Sequence, residues 1–256
     1  MYETKLRVHI VPVGFEFDRI IIPLSKLKAD KVWLLINEKD QDGNNYLKNI
    51  EQWLVKERIE YEKEKCNIID LYNVMKVMRG IIEKEKKNNI SVNVSSGSKV
   101  EAMAGMLISM VMKGTLTVDA YYVVPEKYNP SPEGKQMSSG CRDIVLMPSY
   151  PVEKPKQHLI EFLRLIKENN KPISKRRLVE KAVQKGLLTR DARNAVQQRK
   201  GTSYMEDENG NSLYMRMNSR YLDPLEKMGL VEVVKEGRSR KVHITDDGFN
   251  MLTFLG

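Results

Sequence analysis

Between residues 6 and 124, short aliphatic runs alternate with segments whose apolar residues recur at helical spacing, and that alternation leaves few folds open. Leu6–Val11 reads as a strand, followed by Asp18–Leu27 with Ile21, Leu24 and Leu27 at helical spacing. Lys31–Ile36 is a buried strand ending at the polar loop 40–44. Helix signals over Tyr46–Arg58, a polar strand over Tyr61–Ile68 and a helix from Leu71 to Lys87 continue the pattern. Ile90–Val94, the helix Val100–Met112 and the strand Val118–Val124 complete it. Parallel strands need crossover helices, so a regular βα repeat predicts an α/β fold with a parallel, doubly wound sheet. Ligands on such sheets bind beyond the carboxyl ends of the strands.

At that edge lies Asn93-Val94-Ser95-Ser96-Gly97-Ser98-Lys99. A strand that ends in small hydroxyl residues and glycine, then opens a helix, leaves backbone N–H groups directed above the sheet edge. Those donors and the positive helix terminus favour an anion, phosphate above all. Ser95, Ser96 and Ser98 add hydroxyl donors, Gly97 permits positive φ or close approach, and Lys99 adds a mobile charge. Taken alone, Ser-Ser-Gly-Ser is also an ordinary turn; the strand before it and the helix after it favour a phosphate cradle. The loop after the first strand, Val13–Asp18, belongs to the same edge. It has one glycine, so the GxGxxG fingerprint is absent, and the Walker spacing is missing around Gly97. A nicotinamide enzyme and a P-loop NTPase are therefore disfavoured. Gly14 either serves a ligand or ends the strand; Phe15 either stacks on a base or belongs to the core.

The chain of 256 residues is long enough for one large domain or two ordinary ones. Pro125, Pro130, Pro132, Gly134, Ser138, Ser139 and Gly140 make a turn-rich excursion, after which Ile144–Met147 offers one edge strand. Pro148, Pro151 and Pro155 mark the exit, dividing the chain into residues 1–150 and 151–256. The net charge of +9 is uneven: the first part holds 22 Lys and Arg against 20 Asp and Glu, the second 21 against 14. That excess points to a polyanionic partner for the second part. No signal-like segment opens the chain and no apolar run approaches a membrane span, so no membrane association is expected. Cys66 and Cys141 lie far apart, and His9, His158 and His243 show no metal-ligand spacing. The expectation is therefore a cytoplasmic protein without metal or disulfide framework.

The second part has a different pattern. Leu159, Phe162, Leu163 and Ile166 mark one amphipathic helix; Ser174 caps a second carrying Leu178, Ala182 and Val183. Asn218-Ser219 is expected to open a third, with Tyr221, Leu222, Leu225 and Met228 and closure at Gly229. Leu230–Lys235 and Arg240–Thr245 flank Glu236-Gly237-Arg238-Ser239 as a hairpin with a basic tip, and Asp246 starts a last short helix. Three helices and a basic hairpin are the parts of a winged helix-turn-helix. Its third helix enters the major groove of duplex DNA and its wing touches the backbone. Lys175, Arg176 and Arg177 on the second helix, Ser219 and Arg220 at the start of the third, and Arg238, Arg240 and Lys241 in the wing are the expected contacts. The plainer alternative for any one of them is a solvated surface charge. An insertion, Thr189–Met217, separates the second and third helices. It contains a helical stretch, Asp191–Arg199, and an Asn209-Gly210 hairpin turn flanked by Tyr204-Met205 and Leu213-Tyr214-Met215.

Asn93–Lys99 resembles the second-motif loop of CARF (CRISPR-associated Rossmann fold) domains, Asn-x-Ser/Thr-Gly-Gly-Ser/Thr-Lys/Arg, and the Gly14 loop matches the position of their other ligand loop. With its C-terminal winged helix, the chain is similar over nearly its whole length to archaeal CARF transcriptional regulators. The resemblance implies a Rossmann-like ligand-binding domain followed by a winged helix-turn-helix, a homodimer, and DNA binding as output. It also implies a cyclic oligoadenylate second messenger, cyclic tetra-adenylate being the ring expected, bound across the two-fold axis. Gly14, Phe15, Ser95, Ser96, Gly97, Ser98 and Lys99 of both chains would hold it. Ser96 stands where the family usually has glycine, and its Cβ narrows both the backbone conformations and the pocket. A symmetric ring suits a dimer presenting two copies of one anion cradle. Met103, Met106, Met110 and Met112 either supply part of a dimer face or pack against their own sheet. Two other readings stay open. Some CARF domains slowly cleave their ring, the ribose 2′-OH attacking a phosphate held by the cradle, for which Ser95, Ser98 and Lys99 would serve without an evident general acid or base. The other is a regulator answering to another anionic metabolite, or to none.

Overall fold

The computed structural model describes residues 4–39, 45–129, 137–148, 150, 152, 154–169, 171–188, 213–236 and 239–255. The chain divides into two compact units, Met1–Lys154 and Pro155–Gly256.

The first unit runs β1 (Arg7–Pro12), α1 (Asp18–Lys26), β2 (Lys31–Asn37), α2 (Asn45–Lys56), β3 (Glu60–Cys66), α3 (Leu71–Lys84), β4 (Asn89–Asn93), α4 (Lys99–Met112), β5 (Val118–Val124), β6 (Lys127–Tyr128), β7 (Ser138–Ser139) and β8 (Asp143–Leu146). Its main sheet has the order β3-β2-β1-β4-β5-β8, the first five strands parallel and β8 antiparallel at the edge. β2 reads Val-Trp-Leu-Leu-Ile after Lys31 because both its faces are covered, whereas the edge strand β3 is Glu-Tyr-Glu-Lys-Glu-Lys-Cys, which resists pairing with another chain. From β1 the chain winds outward to β3, returns to β4 beside β1, and winds outward again to β5. β1 and β4 are thus the pair at which strand order reverses. One apolar layer joins Val11, Val32, Leu34 and Ile36 to Ile20 and Leu24 of α1 and to Leu47, Ile50 and Leu54 of α2. On the other layer Gly105 lets α4 come close to the sheet; a Cβ there would lie 3.0 Å from the side chains of both Val92 and Val94. At the amino ends of the strands, the Lys31 ammonium meets Glu60, Glu62 and Glu85 at 3.2, 2.7 and 3.0 Å, and Glu85 also accepts from the Trp33 indole at 2.9 Å.

The second unit runs α5 (Gln157–Lys167), β9 (Ile173–Ser174), α6 (Lys175–Gln184), α7 (Leu213–Met217), a π turn (Asn218–Leu222), α8 (Asp223–Lys227), β10 (Val231–Glu236), β11 (Ser239–Ile244) and α9 (Asp246–Leu255). β10, β11 and β9 form a small antiparallel sheet. Phe162 stacks on Tyr221, with ring centroids 4.4 Å apart, and the Tyr221 hydroxyl donates to the Leu187 carbonyl at 2.7 Å. The doubly wound α/β domain followed by a winged helix domain is the fold the sequence implied.

The third helix departs from expectation. α7, the π turn and α8 are continuous, so Asn218-Ser219 lies in the middle of the helix and not at its start. Leu213, Met217, Tyr221 and Leu225 recur every four residues and all lie in the core, which carries the helix back to Leu213. Leu213-Tyr214-Met215, expected beside a hairpin turn, is therefore helical. The widened turn has a cause in Pro224, which has no N–H and whose ring crowds the preceding turn. With one extra residue in the turn, the Asp223 N–H reaches back to the Asn218 carbonyl. The helical stretch Asp191–Arg199 and the Asn209-Gly210 turn lie outside the described residues, as do Gly237 and Arg238 of the wing.

His9 gives the first unit an acid-sensitive core. It is buried against Tyr121, its Nδ1 3.2 Å from the tyrosine hydroxyl, and burial lowers its pKa to about 4 from 6.5. The native imidazole stays neutral where the unfolded chain takes up a proton. Stability is accordingly full above pH 6.5 and declines as the pH falls toward 4, by at most about 3 kcal/mol. Denaturant midpoints between pH 7 and pH 5 should fall for the native sequence and fall less for His9→Gln; equal slopes would contradict this.

Candidate functional site

β1 leads into residues 13–17 and β4 into residues 94–98, so both loops leave the sheet side by side at its carboxyl edge. Their backbones touch. A Cβ on Gly14 would lie 2.7 Å from Gly97 N and 3.0 Å from its Cα. Gly97 has φ 77°, and a Cβ there would meet Pro12 Cβ at 2.5 Å and Glu101 Oε2 at 2.7 Å. Each glycine is required by close approach, Gly97 by its left-handed backbone as well.

Asn93 organises the second loop. Its buried side chain accepts from Ser95 N at 2.8 Å and donates to the Arg19 carbonyl at 2.9 Å, fastening α1 to the turn. The Ser95 hydroxyl accepts from Val123 N at 2.5 Å, and the Ser96 hydroxyl donates to the Pro12 carbonyl at 2.7 Å. Both serines are buried, so these hydroxyls build the loop instead of presenting donors at its rim. That corrects the expectation of three hydroxyls facing a ligand; Ser96 in particular has given its one proton to β1. Its side chain is turned inward, so the Cβ that distinguishes it from glycine takes no room at the exposed rim.

Ser98 caps α4. Its hydroxyl accepts from Glu101 N at 3.1 Å and donates to the Ile68 carbonyl at 3.2 Å, while Glu101 Oε2 accepts from Ser98 N at 2.6 Å. This is a capping box with a buried carboxylate, and it commits two of the helix's terminal amides. The pattern Ser98-x-x-Glu101 stands in the sequence as a signal that motif reading passed over. Burial, helped by the charges of Glu101 and Glu38, pushes the Cys66 thiol up to about 12. At the rim remain Gly97 and Lys99, both exposed, and Phe15, 56% exposed and edge-on to Tyr46 with centroids 5.6 Å apart. Phe15 is therefore not a core residue.

Arg19, on the first turn of α1, was not marked by any local motif. It is 7% exposed and donates to the Ser95 carbonyl at 3.0 Å, to the Tyr122 hydroxyl at 2.6 Å and to the Val123 carbonyl at 3.0 Å. Glu16 accepts from the Ser138 hydroxyl at 2.6 Å and Asp18 from Gly140 N at 2.8 Å, which docks the β6–β7 hairpin on the same edge. Along α4, Met103 is 54% and Leu107 39% exposed, Met106 and Met110 are half-buried, and Met112 alone of the four methionines is buried. Packing against their own sheet thus does not account for Met103.

In the second unit Ser219 and Arg220 are exposed on the π turn, and Arg176, Arg177 and Arg240 are exposed as well. Lys175 Nζ donates to Asn218 Oδ1 at 2.9 Å, joining α6 to the third helix. Lys241 and His243 both meet Glu236, at 2.5 and 3.0 Å, and Lys241 chiefly holds that carboxyl below its ordinary range. Among the described residues, no helix is long and apolar enough to cross a membrane.

Gly97→Ala should cost about 2 kcal/mol or more, since it adds a collision to a left-handed backbone. Asn93→Ala, which breaks two buried hydrogen bonds, should cost about 1–3 kcal/mol. Urea unfolding measures both, and a change below about 0.5 kcal/mol at either position would contradict the arrangement.

Residues 7–128 match the family model described as HFX_2341_N-like, N-terminal, and residues 158–256 match that of the DUF6293 C-terminal winged helix domain. The uncharacterized protein MJ1513 of Methanocaldococcus jannaschii is 29% identical over 186 residues, 62% of this chain and 55% of the relative. The chain thus spans about half the length of that relative. Among solved structures, Enterococcus italicus Csm6 bound to cyclic hexa-2′-fluoro-hexa-dAMP is 12% identical with a TM-score of 0.43, over 88% of this chain and 56% of that one. Can2 from Sulfobacillus thermosulfidooxidans in complex with cyclic tetra-adenylate is 15% identical with a TM-score of 0.41, over 97% and 63%. Protein VC1899 from Vibrio cholerae is 11% identical with a TM-score of 0.41, over 97% and 66%. Two different family models thus match the two units separately, each over less than half of the chain.

Proposed function

We propose that the protein is a dimeric regulator that binds a cyclic oligoadenylate through its first unit and duplex DNA through its winged helix. The observation that carries this reading is the Gly14–Gly97 contact at the strand reversal. It brings two loops together where open α/β sheets take anionic nucleotides. The resemblance of Asn93–Lys99 to the CARF loop supplies the class of ligand, with cyclic tetra-adenylate the expected ring. Because the Ser95, Ser96 and Ser98 hydroxyls are committed inside the fold, phosphate recognition falls to Lys99 and the Gly97 backbone, and base contact to Phe15. The same commitment of Ser95, with Ser98 in the capping box, weighs against ring cleavage by these residues.

Dimerisation is supported by α4. Between Val100 and Met112 its only charged residue is Glu101, which is buried, while Met103 and Leu107 face outward. A four-turn helix without a charged solvent face calls for cover on that side, and the same stripe on a second copy provides it across a two-fold axis. The helix starts at Lys99, so such pairing keeps each ligand loop next to the shared face. DNA binding is supported by the exposed Arg176, Arg177, Ser219, Arg220 and Arg240, with Lys175 and Lys241 in the same set.

Calorimetric titration of nucleotide-free, full-length protein with cyclic tetra-adenylate, cyclic hexa-adenylate and the linear forms tests the ligand. One ring should bind per two chains. Lys99→Ala should weaken binding by about 1.5–3 kcal/mol, more than Ser98→Ala, because it removes a charge-assisted contact. Met103→Glu should shift the protein to monomer in sedimentation. No heat with any ring from demonstrably dimeric protein would remove the ring-sensing function. For DNA, joint replacement of Arg240 and Lys241 by Ala should weaken duplex binding across sequences and flatten its salt dependence, while Arg220→Ala should also relax sequence preference. Unchanged binding in both would contradict the winged-helix reading.

A further inference from the structure

We infer that Arg19 is a positioning residue of the ligand site, a fixed cation beneath the sheet edge that sets the Gly97 loop for an anion and attracts it; this rests on the function proposed above. Arginine is seldom buried without a carboxylate, because taking its charge out of water is costly unless a partner offsets it. Arg19 is 7% exposed, yet among the described residues its partners are the carbonyls of Ser95 and Val123 and the hydroxyl of Tyr122, all neutral. Its guanidinium also lies 5.0 Å from the centre of the Tyr122 ring. These acceptors take four of its five N–H donors and leave its unit charge in place.

The neighbouring acids are turned elsewhere: Glu16 to Ser138 and Asp18 to Gly140. Glu101 is engaged at the other end of the turn, where it accepts from Ser98 N. The turn is therefore gripped at its first carbonyl by a cation and at its last amide by a carboxylate. A trans peptide is planar, so holding the Ser95 carbonyl against Arg19 turns the Ser96 N–H to the opposite side of the loop. Only a planar fork reaches three acceptors on two segments at once, which a lysine ammonium at the same place cannot reproduce. Being buried, this charge acts through a medium of low dielectric and is screened by salt far less than Lys99 at the rim.

The test is titration of full-length Arg19→Lys, Arg19→Gln and Tyr122→Phe with cyclic tetra-adenylate at low and high salt, alongside thermal melting. Arg19→Lys should lose affinity about tenfold and Arg19→Gln more, because the second also removes the charge. Tyr122→Phe, which keeps the charge and removes one anchor, should lose about threefold. The losses in both Arg19 variants should persist at high salt, whereas the effect of Lys99→Ala should shrink. If Arg19→Gln does not fold, the other two variants carry the test. Lower melting temperatures with wild-type affinity in the folded protein would overturn the inference and leave Arg19 a purely structural residue. If the wild type binds no ring, the proposed function falls and the inference with it; wild-type binding that survives all three changes overturns the inference alone.

Discussion

The backbone contact between Gly14 and Gly97 fixes the geometry of the whole carboxyl edge. It exists because β1 and β4 pair in parallel, with Ile10 opposite Val92, so the chain leaves both strands at the same level. No side chain fits between the loops, and other bonds accumulate around that closeness. Ser96 reaches back to Pro12, Asn93 ties the turn to α1, and Ser98 closes on Glu101. A loop gripped this way is ordered in advance, so binding there would not bear the entropy cost of ordering it. The charge at the site is then distributed by depth. Arg19 is buried below, Glu101 lies under the helix terminus, and Lys99 is exposed at the rim. On the proposed function, an anion at this edge would meet a helix end that already has its own carboxylate, so the cations at the loop would be its decisive partners.

The second unit uses charge differently. Its core is built on Phe162 against Tyr221, and its cations lie on the outside of α6, the third helix and β11. The π turn matters to that surface because it sets the angular position of Ser219 and Arg220 relative to the buried row of Leu213, Met217, Tyr221 and Leu225.

Much of the first unit was legible because buried parallel strands leave strong aliphatic runs: β5 occupies Val118–Val124 as read, and β1, β2 and β4 fall within a residue of their expected limits. The third helix was misread because Asn218-Ser219 looks like a helix start, and only the four-residue spacing back to Leu213 betrays its continuation. The outward face of α4 was hidden for the opposite reason: a helix apolar all round has no contrast from which to read a face. At the site the motif was visible, but the fate of its hydroxyls was not. That depends on Pro12 and Val123, distant in sequence and near only in the fold. Arg19 was invisible on the same grounds, whereas the Glu101 cap was written locally and was missed.

Backbone amide hydrogen exchange of the full-length protein, with and without cyclic tetra-adenylate, tests most directly the claim that the paired glycine loops are the ligand site. The account predicts slowed exchange in residues 13–17 and 95–100, with the slowing centred on Gly14 and Gly97. Ring binding that protects neither loop, or protects only segments of the second unit, would contradict it.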